Sequence, residues 1–174
     1  MFFYAHSHSL PLLGKVTAKI TEVEDAFASN KDLSYFTENL PPNHEFVECI
    51  VGISHMLTAC KFELDKDQKL DKLYNELNKA LPDLRDLRNI LVHWDSYLRV
   101  EGVLQDDRNG RVPRVPKSNN IMSAIWEGRI FWLGWPDTEE PKASFEVDMC
   151  KLYEKAVPLF TYFDEYLKEK IKES

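Results

Sequence analysis

Apolar residues recur along this chain at helical spacing. Leu13, Val16, Ile20, Val23 and Phe27 step by three and four, with Pro11 near the start of the stretch and Asn30 just past its end, so a first amphipathic helix is predicted there. A polar connector then runs through Pro41 and Pro42 to Asn43, a residue type suited to an N-cap. The second helix predicted from that cap buries Phe46, Cys49, Ile50, Ile53, Leu57, Cys60 and Leu64. Leu70, Leu73, Tyr74 and Leu77 carry the same pattern on to Pro82, whose missing amide breaks or kinks a helix. A further helix opens near Asp83 and ends before Gly102.

Beyond that point the period changes. Residues 102–120 are polar and turn-rich. IMSAIW and RIFWLGW then flank Glu127-Gly128, the pattern of a β-hairpin, and the alternation of Ala143, Phe145 and Val147 predicts a third strand. From Asp148 a last helix presents Met149, Tyr153, Val157, Phe160, Phe163, Leu167 and Ile171, with a kink expected at Pro158. The fold class this predicts is mainly α. It is an antiparallel bundle of four to five helices, with a small β-hairpin or three-stranded sheet inserted before the last one. One domain is expected over 1–174, residues 102–147 forming its loop and β insertion.

Composition narrows the function classes. A chain of 174 residues with 44% hydrophobic content can bury a sizeable core, and 12% aromatic residues argue against disorder. The net charge of −7 excludes a generic nucleic-acid binder, leaving only local basic patches for that role. Cys49, Cys60 and Cys150 are odd in number and lack metal-site spacing, and the first two fall on apolar helical positions, as buried reduced thiols do. The N-terminal MFFYAHSHSL has neither a basic lead nor a long apolar run, and nothing approaches transmembrane length. A cytoplasmic protein with no membrane partner is expected. His6 and His8 lack the further ligands of a designed metal site, so no metal and no cofactor is expected. No glycine-rich phosphate loop or nucleophile elbow is present, which sets aside kinase, NTPase and esterase-type hydrolase readings. Trp126, Trp132 and Trp135 are read as packing the hairpin onto the bundle, base stacking being the other use of such rings.

The most informative stretch is LRDLRNILVHWDSY, residues 84–97. At about 100° per residue, Leu84, Leu87, Ile90, Leu91, Trp94 and Leu98 fill one arc that must face the core. Arg85, Asn89, Val92 and Ser96 lie on the opposite arc, with Arg88 and His93 towards its two edges, about 140° apart. One helix therefore does not bring Arg88 and His93 onto a single stripe. Two copies facing each other across a two-fold axis would: each Arg88 would approach the other copy's His93, and the two Val92 side chains would bury at the centre. The plainer alternative is a solvated face, on which one exposed valine is ordinary.

Arg88-Asn89-Ile90-Leu91-Val92-His93 resembles the R-N-x-x-x-H motif of the HEPN superfamily, and the flanking LRDLRN and HWDSY in a helical setting add to the likeness. The resemblance implies a small helical bundle that forms a homodimer through the Arg88–His93 helix and acts on RNA as a metal-independent endoribonuclease. Its carried-over catalytic residues are His93 as general base or acid, Arg88 for charge on the attacked phosphate, and Asn89 to orient either. Imidazole titrates near neutrality and guanidinium binds phosphate oxygens as a fork, so the residue types suit that chemistry. The family's toxins that pair with a nucleotidyltransferase antitoxin carry a tyrosine two residues after the histidine. Asp95 stands there in this chain, and the next tyrosine, Tyr97, becomes an accessory candidate. An antitoxin or other regulatory protein is the further partner implied, in a toxin or phage-defence setting.

A separate feature comes from spacing alone. In RNGRVPRVPK, Arg108, Arg111, Arg114 and Lys117 recur every third residue around Pro113 and Pro116. In a polyproline II conformation they would line one side about 9 Å apart, a substrate-binding strip for backbone phosphates. A solvated basic loop paired with Asp106 and Asp107 is the alternative. Three functions thus stand open: a HEPN-type endoribonuclease, a non-catalytic HEPN-like nucleotide- or RNA-binding module, and a structural dimerisation protein.

Overall fold

The computed structural model describes residues 2–29, 43–93, 96–97, 99, 101–105, 115, 123–127, 129–134 and 144–173. Helix α1 spans Phe2–Ala28 and α2 spans Asn43–Cys60. Helix α3 spans Gln68–Ala80, α4 Leu84–Val92 and α5 Met149–Glu173. Strands β1 (Ser123–Glu127), β2 (Ile130–Gly134) and β3 (Ser144–Asp148) precede α5. The mainly α architecture with a small sheet before the last helix is therefore the one observed.

Several boundaries differ from the sequence reading, each for a physical reason. Helix α1 begins at Phe2, so Pro11 lies inside it rather than near its start. Proline there removes a single intrahelical donor, which a long helix packed along one face withstands. The apolar pattern that runs from Phe46 to Leu77 is two helices. After Cys60 the chain turns, makes a short 3₁₀ segment over Leu64–Lys66, and restarts where the Asp67 carboxylate accepts the Leu70 amide at 2.8 Å. That is an N-cap. Helix α3 then stops ahead of Pro82, whose ring disfavours helical dihedrals at Leu81 (φ −135°, ψ 69°).

Helices α1 and α2 pack side by side, α2 also contacts α4, and α5 packs against α1 and α3. Their shared core holds Leu13, Val16, Ile20, Phe46, Cys49, Ile50, Ile53 and Met56, all fully buried. Burial in it pushes the Cys49 and Cys60 thiols up to about 12. Helix α5 buries the expected Met149, Phe160 and Phe163, joined by Leu152, Ala156 and Leu159 rather than by Tyr153 and Ile171. Tyr153 is exposed on the side away from α1, where a Cβ on Gly14 would lie 3.4 Å from its ring, and Ile171 is exposed. The side chain of Phe27 lies outside the described residues.

The sheet has order β1-β2-β3, both pairs antiparallel. Phe131 pairs with Val147 and Leu133 with Phe145, and these four side chains form its buried face. Phe131 stacks on Phe46 of α2 with ring centroids 3.4 Å apart, which docks the sheet on the bundle. Trp132 is half-buried on the other face, while Gly128 and the side chains of Trp126 and Trp135 lie outside the described residues. No helix among the described residues is long and apolar enough to cross a membrane.

Candidate functional site

Helix α4 is short and its apolar residues decide how it sits. Leu84, Leu87 and Ile90 are buried, so the Arg-Asn pair must lie on the flank or the outside. The turn at Leu81-Pro82 folds α4 back beside α2, leaving a cleft of about 760 Å³ between α2, α3 and α4. Arg85, Arg88 and Asn89 line it from α4, Ser54, Leu57, Thr58 and Lys61 from α2 and the turn after it, and Tyr74 and Asn78 from α3. Arg88 and Asn89 are half-buried there, and Arg88 Nη1 donates to Asn89 Oδ1 at 3.2 Å.

The charge of this lining is one-sided. Among the described residues it carries Lys61, Arg85 and Arg88 and no carboxylate, on a chain whose net charge is −7. Cations clustered along low-dielectric walls focus a positive potential. A guanidinium already steadied by a neighbouring amide is oriented for the forked contact that phosphate oxygens favour. Such a lining suits an anion.

His93 does not line this cleft. Its amide is the last one in the α4 ladder, donating to the Asn89 carbonyl at 3.1 Å, but its own dihedrals (φ −118°, ψ 31°) leave the helix. The expectation of one helix running on towards Gly102 is corrected accordingly: α4 ends at Val92, and His93 caps it. The His93 carbonyl accepts the amides of Ser96 and Tyr97, which start another helical turn. Apart from Leu91, the run from Ile90 to Asp95 has no strong helix former, which makes it a weak place in the ladder. Val92 and His93 are both exposed, at the end of α4 beyond the cleft. Trp94 and Asp95 lie outside the described residues.

Tyr97 turns inward. It is 3% exposed, its hydroxyl accepts the Leu104 amide at 3.4 Å, and its backbone carbonyl accepts from Gln105 Nε2 at 3.1 Å. A Cβ on Gly102 would lie 2.3 Å from the ring, so only glycine lets the chain pass over it. Burial raises the phenol's pKa, the Leu104 N–H opposes that, and the charge of Asp86 adds to it. A phenol so placed holds the turn after α4 together.

Arg108, Arg111, Arg114 and Lys117 lie outside the described residues. Val115 is buried, its amide donating to the Leu104 carbonyl at 3.2 Å, so this residue touches the core beside the Tyr97 turn. At the other end of the chain, His8 lies 3.9 Å from Glu48.

Sequence reasoning missed the contributions of Ser54, Lys61, Asn78 and Arg85. A signal existed on α2: Ser54, Thr58 and Lys61 form a polar line at helical spacing beside the apolar stripe. That this line faces Arg88 follows only from the packing of α2 on α4. The chain matches no protein-family model, no curated protein and no solved structure.

Proposed function

We propose that this protein is a cytoplasmic, metal-independent endoribonuclease of the HEPN type, working as a homodimer joined through α4. The observation that carries this reading is the half-buried Arg88–Asn89 pair on the wall of a cleft that, among the described residues, holds three cations and no carboxylate. In the proposed reaction His93 takes the proton from a ribose 2′-hydroxyl. The 2′-oxygen attacks the adjacent phosphorus while the bond to the leaving 5′-oxygen breaks and that oxygen gains a proton. The products are a 2′,3′-cyclic phosphate and a 5′-hydroxyl. Arg88, steadied by Asn89, would hold the charge that builds on the phosphate. The exposed Val92 and His93 at the end of α4 suit a second copy meeting the first there, with each Arg88 served by the other copy's His93. Arg108, Arg111, Arg114 and Lys117 are the proposed second contact with the RNA backbone.

A binding module that does not cut is the second reading, favoured by one observation: His93 stands outside the cleft that the cations line. Cleavage of a labelled RNA in EDTA, wild type beside His93→Ala, decides between them. Cutting that depends on His93 supports the nuclease. Tight binding with no cutting by either protein supports the module and overturns the nuclease.

A further inference from the structure

The turn that follows α4 is fastened by a side chain outside the motif. Gln105 is 1% exposed, and its side-chain amide bridges Tyr97 and Gly102. Oε1 accepts the Gly102 amide at 3.0 Å, and Nε2 donates to the Tyr97 carbonyl at 3.1 Å. A backbone N–H only donates and a backbone carbonyl only accepts, so these two partners fix which way the side chain faces. The backbone N–H of Gln105 donates in turn to the Gly102 carbonyl at 2.9 Å, which completes the clasp. Glutamine is mostly an exposed residue, and burying its amide is costly unless the amide is hydrogen-bonded. An apolar side chain would fill the same space without that cost, so the two bonds are what glutamine contributes here.

From Tyr97 the connection runs on to the motif. The Ser96 and Tyr97 amides donate to the His93 carbonyl at 3.0 and 3.3 Å, and the Glu101 amide donates to the Ser96 carbonyl at 2.8 Å. The His93 carbonyl belongs to the peptide group that sets ψ at 31°, where the chain leaves α4. The imidazole itself is exposed, so its direction comes from the backbone that carries it rather than from packing. A buried polar network whose members are paired rigidifies what it connects.

We propose that Gln105 is the positioning residue for His93 in RNA cleavage. It touches neither the RNA nor the reacting atoms. Gln105 holds the turn at Tyr97, the turn holds the His93 carbonyl, and the imidazole leaves the end of α4 in one direction. A general base acts only within hydrogen-bond reach of the proton it takes, and misplacement by about 1 Å costs about 10²-fold in rate. The role rests on the ribonuclease reading and adds to it the residue that aims its base.

The test is a double-mutant cycle on the full chain, with labelled RNA, at a temperature where circular dichroism shows each variant folded. Gln105→Met keeps the length of the side chain and removes both of its bonds. It should lower kcat about tenfold to a hundredfold, the scale on which misplacement acts, and leave KM within about twofold. Gln105→Glu keeps the acceptor for Gly102 and loses the donor to Tyr97, so it should lower kcat as well. Should Gln105→Met not fold, Gln105→Glu carries the test. In a chain already carrying His93→Ala, either substitution should cost the residual rate nothing further, because a residue that acts through His93 has nothing left to aim. A merely structural role would give equal losses with and without His93. Such equal losses, or an undiminished kcat in both Gln105 variants of a protein whose cutting needs His93, would overturn the positioning role and keep the nuclease. A wild type that cuts no RNA removes both.

Discussion

His93 is tied through its backbone to Asn89, amide to carbonyl at 3.1 Å, while its side chain stands clear of the cleft that Asn89 lines. Asn89 thus meets both ends of the motif, its carbonyl accepting the His93 amide and its side-chain oxygen accepting from Arg88. A composite site makes a sharp prediction from this arrangement. His93→Ala should lower cleavage by about 10² to 10⁴, and Arg88→Lys should recover little of an Arg88→Ala loss, because an ammonium lacks the fork. Mixing inactive Arg88→Ala with inactive His93→Ala should restore partial activity through heterodimers with one intact site. A mixture that stays dead means that each chain supplies its own pair.

Val92 tests the same interface without touching the chemistry. It is 38% exposed at the last residue of α4, so a longer polar side chain is accommodated in the isolated chain. Val92→Arg should sediment as a monomer, melt normally and cleave nothing. A dimer that survives the substitution rules out the two-fold contact through α4.

Gly52 sets the spacing of the helix that carries Ser54 and leads to Lys61. A Cβ on Gly52 would lie 1.7 Å from Ser9 Oγ and 2.5 Å from Ser9 Cβ, so α1 and α2 touch there backbone to side chain. Gly52→Ala should destabilise the fold by about 1–3 kcal/mol, as overpacking does. Ser9→Gly in the same chain should recover most of this, less the roughly 1 kcal/mol that a helical glycine costs. Chemical denaturation of the three variants measures both steps.

Acid should loosen the end of α5 first. Lys170 Nζ, Lys66 Nζ and the Tyr166 hydroxyl all donate to Glu63, and these bonds, that of Lys170 foremost, hold its carboxyl down from the ordinary 4.5 to about 2. A carboxylate depressed in the folded state stabilises the fold above its unfolded value. That stability is lost as pH falls from about 4.5 towards 2. Asp67 acts with the same sign, its pKa lowered by the Leu70 amide and the Tyr162 hydroxyl. Thermal melts across this interval should show a steeper loss for wild type than for Glu63→Gln. Parallel curves would mean that Glu63 does not couple α5 to the turn after α2.

The elements whose apolar period continues without a competing signal were legible in the sequence. Leu13, Val16, Ile20 and Val23, or Leu84, Leu87 and Ile90, leave one face that can be buried, and they are buried. The break at residues 61–67 was hidden because Leu64 and Leu70 keep the apolar rhythm across it, while the Asp67 cap that restarts the helix is a single hydrogen bond. Helix α5 offers two adjacent apolar stripes, and contact with α1 selects the one through Leu152 and Ala156. Arg88 and Asn89 could be picked out by residue type. The cleft they line could not, because Ser54, Asn78 and Arg88 meet only through the pairing of α2, α3 and α4.

The two deeply buried cysteines make helix α2 its own reporter. Alkylating reagents attack the thiolate, and with thiols pushed up to about 12, Cys49 and Cys60 hold almost none at neutral pH. Labelling must therefore wait until α2 breathes away from the core, so the modification rate counts openings of the very wall that bears Ser54. Half-buried Cys150 lies on α5, outside that wall, and serves as the internal control. A short RNA strand seated in the cleft should slow the first two thiols and leave the third at its own pace, a chemical clock for occupancy that needs no cleavage at all.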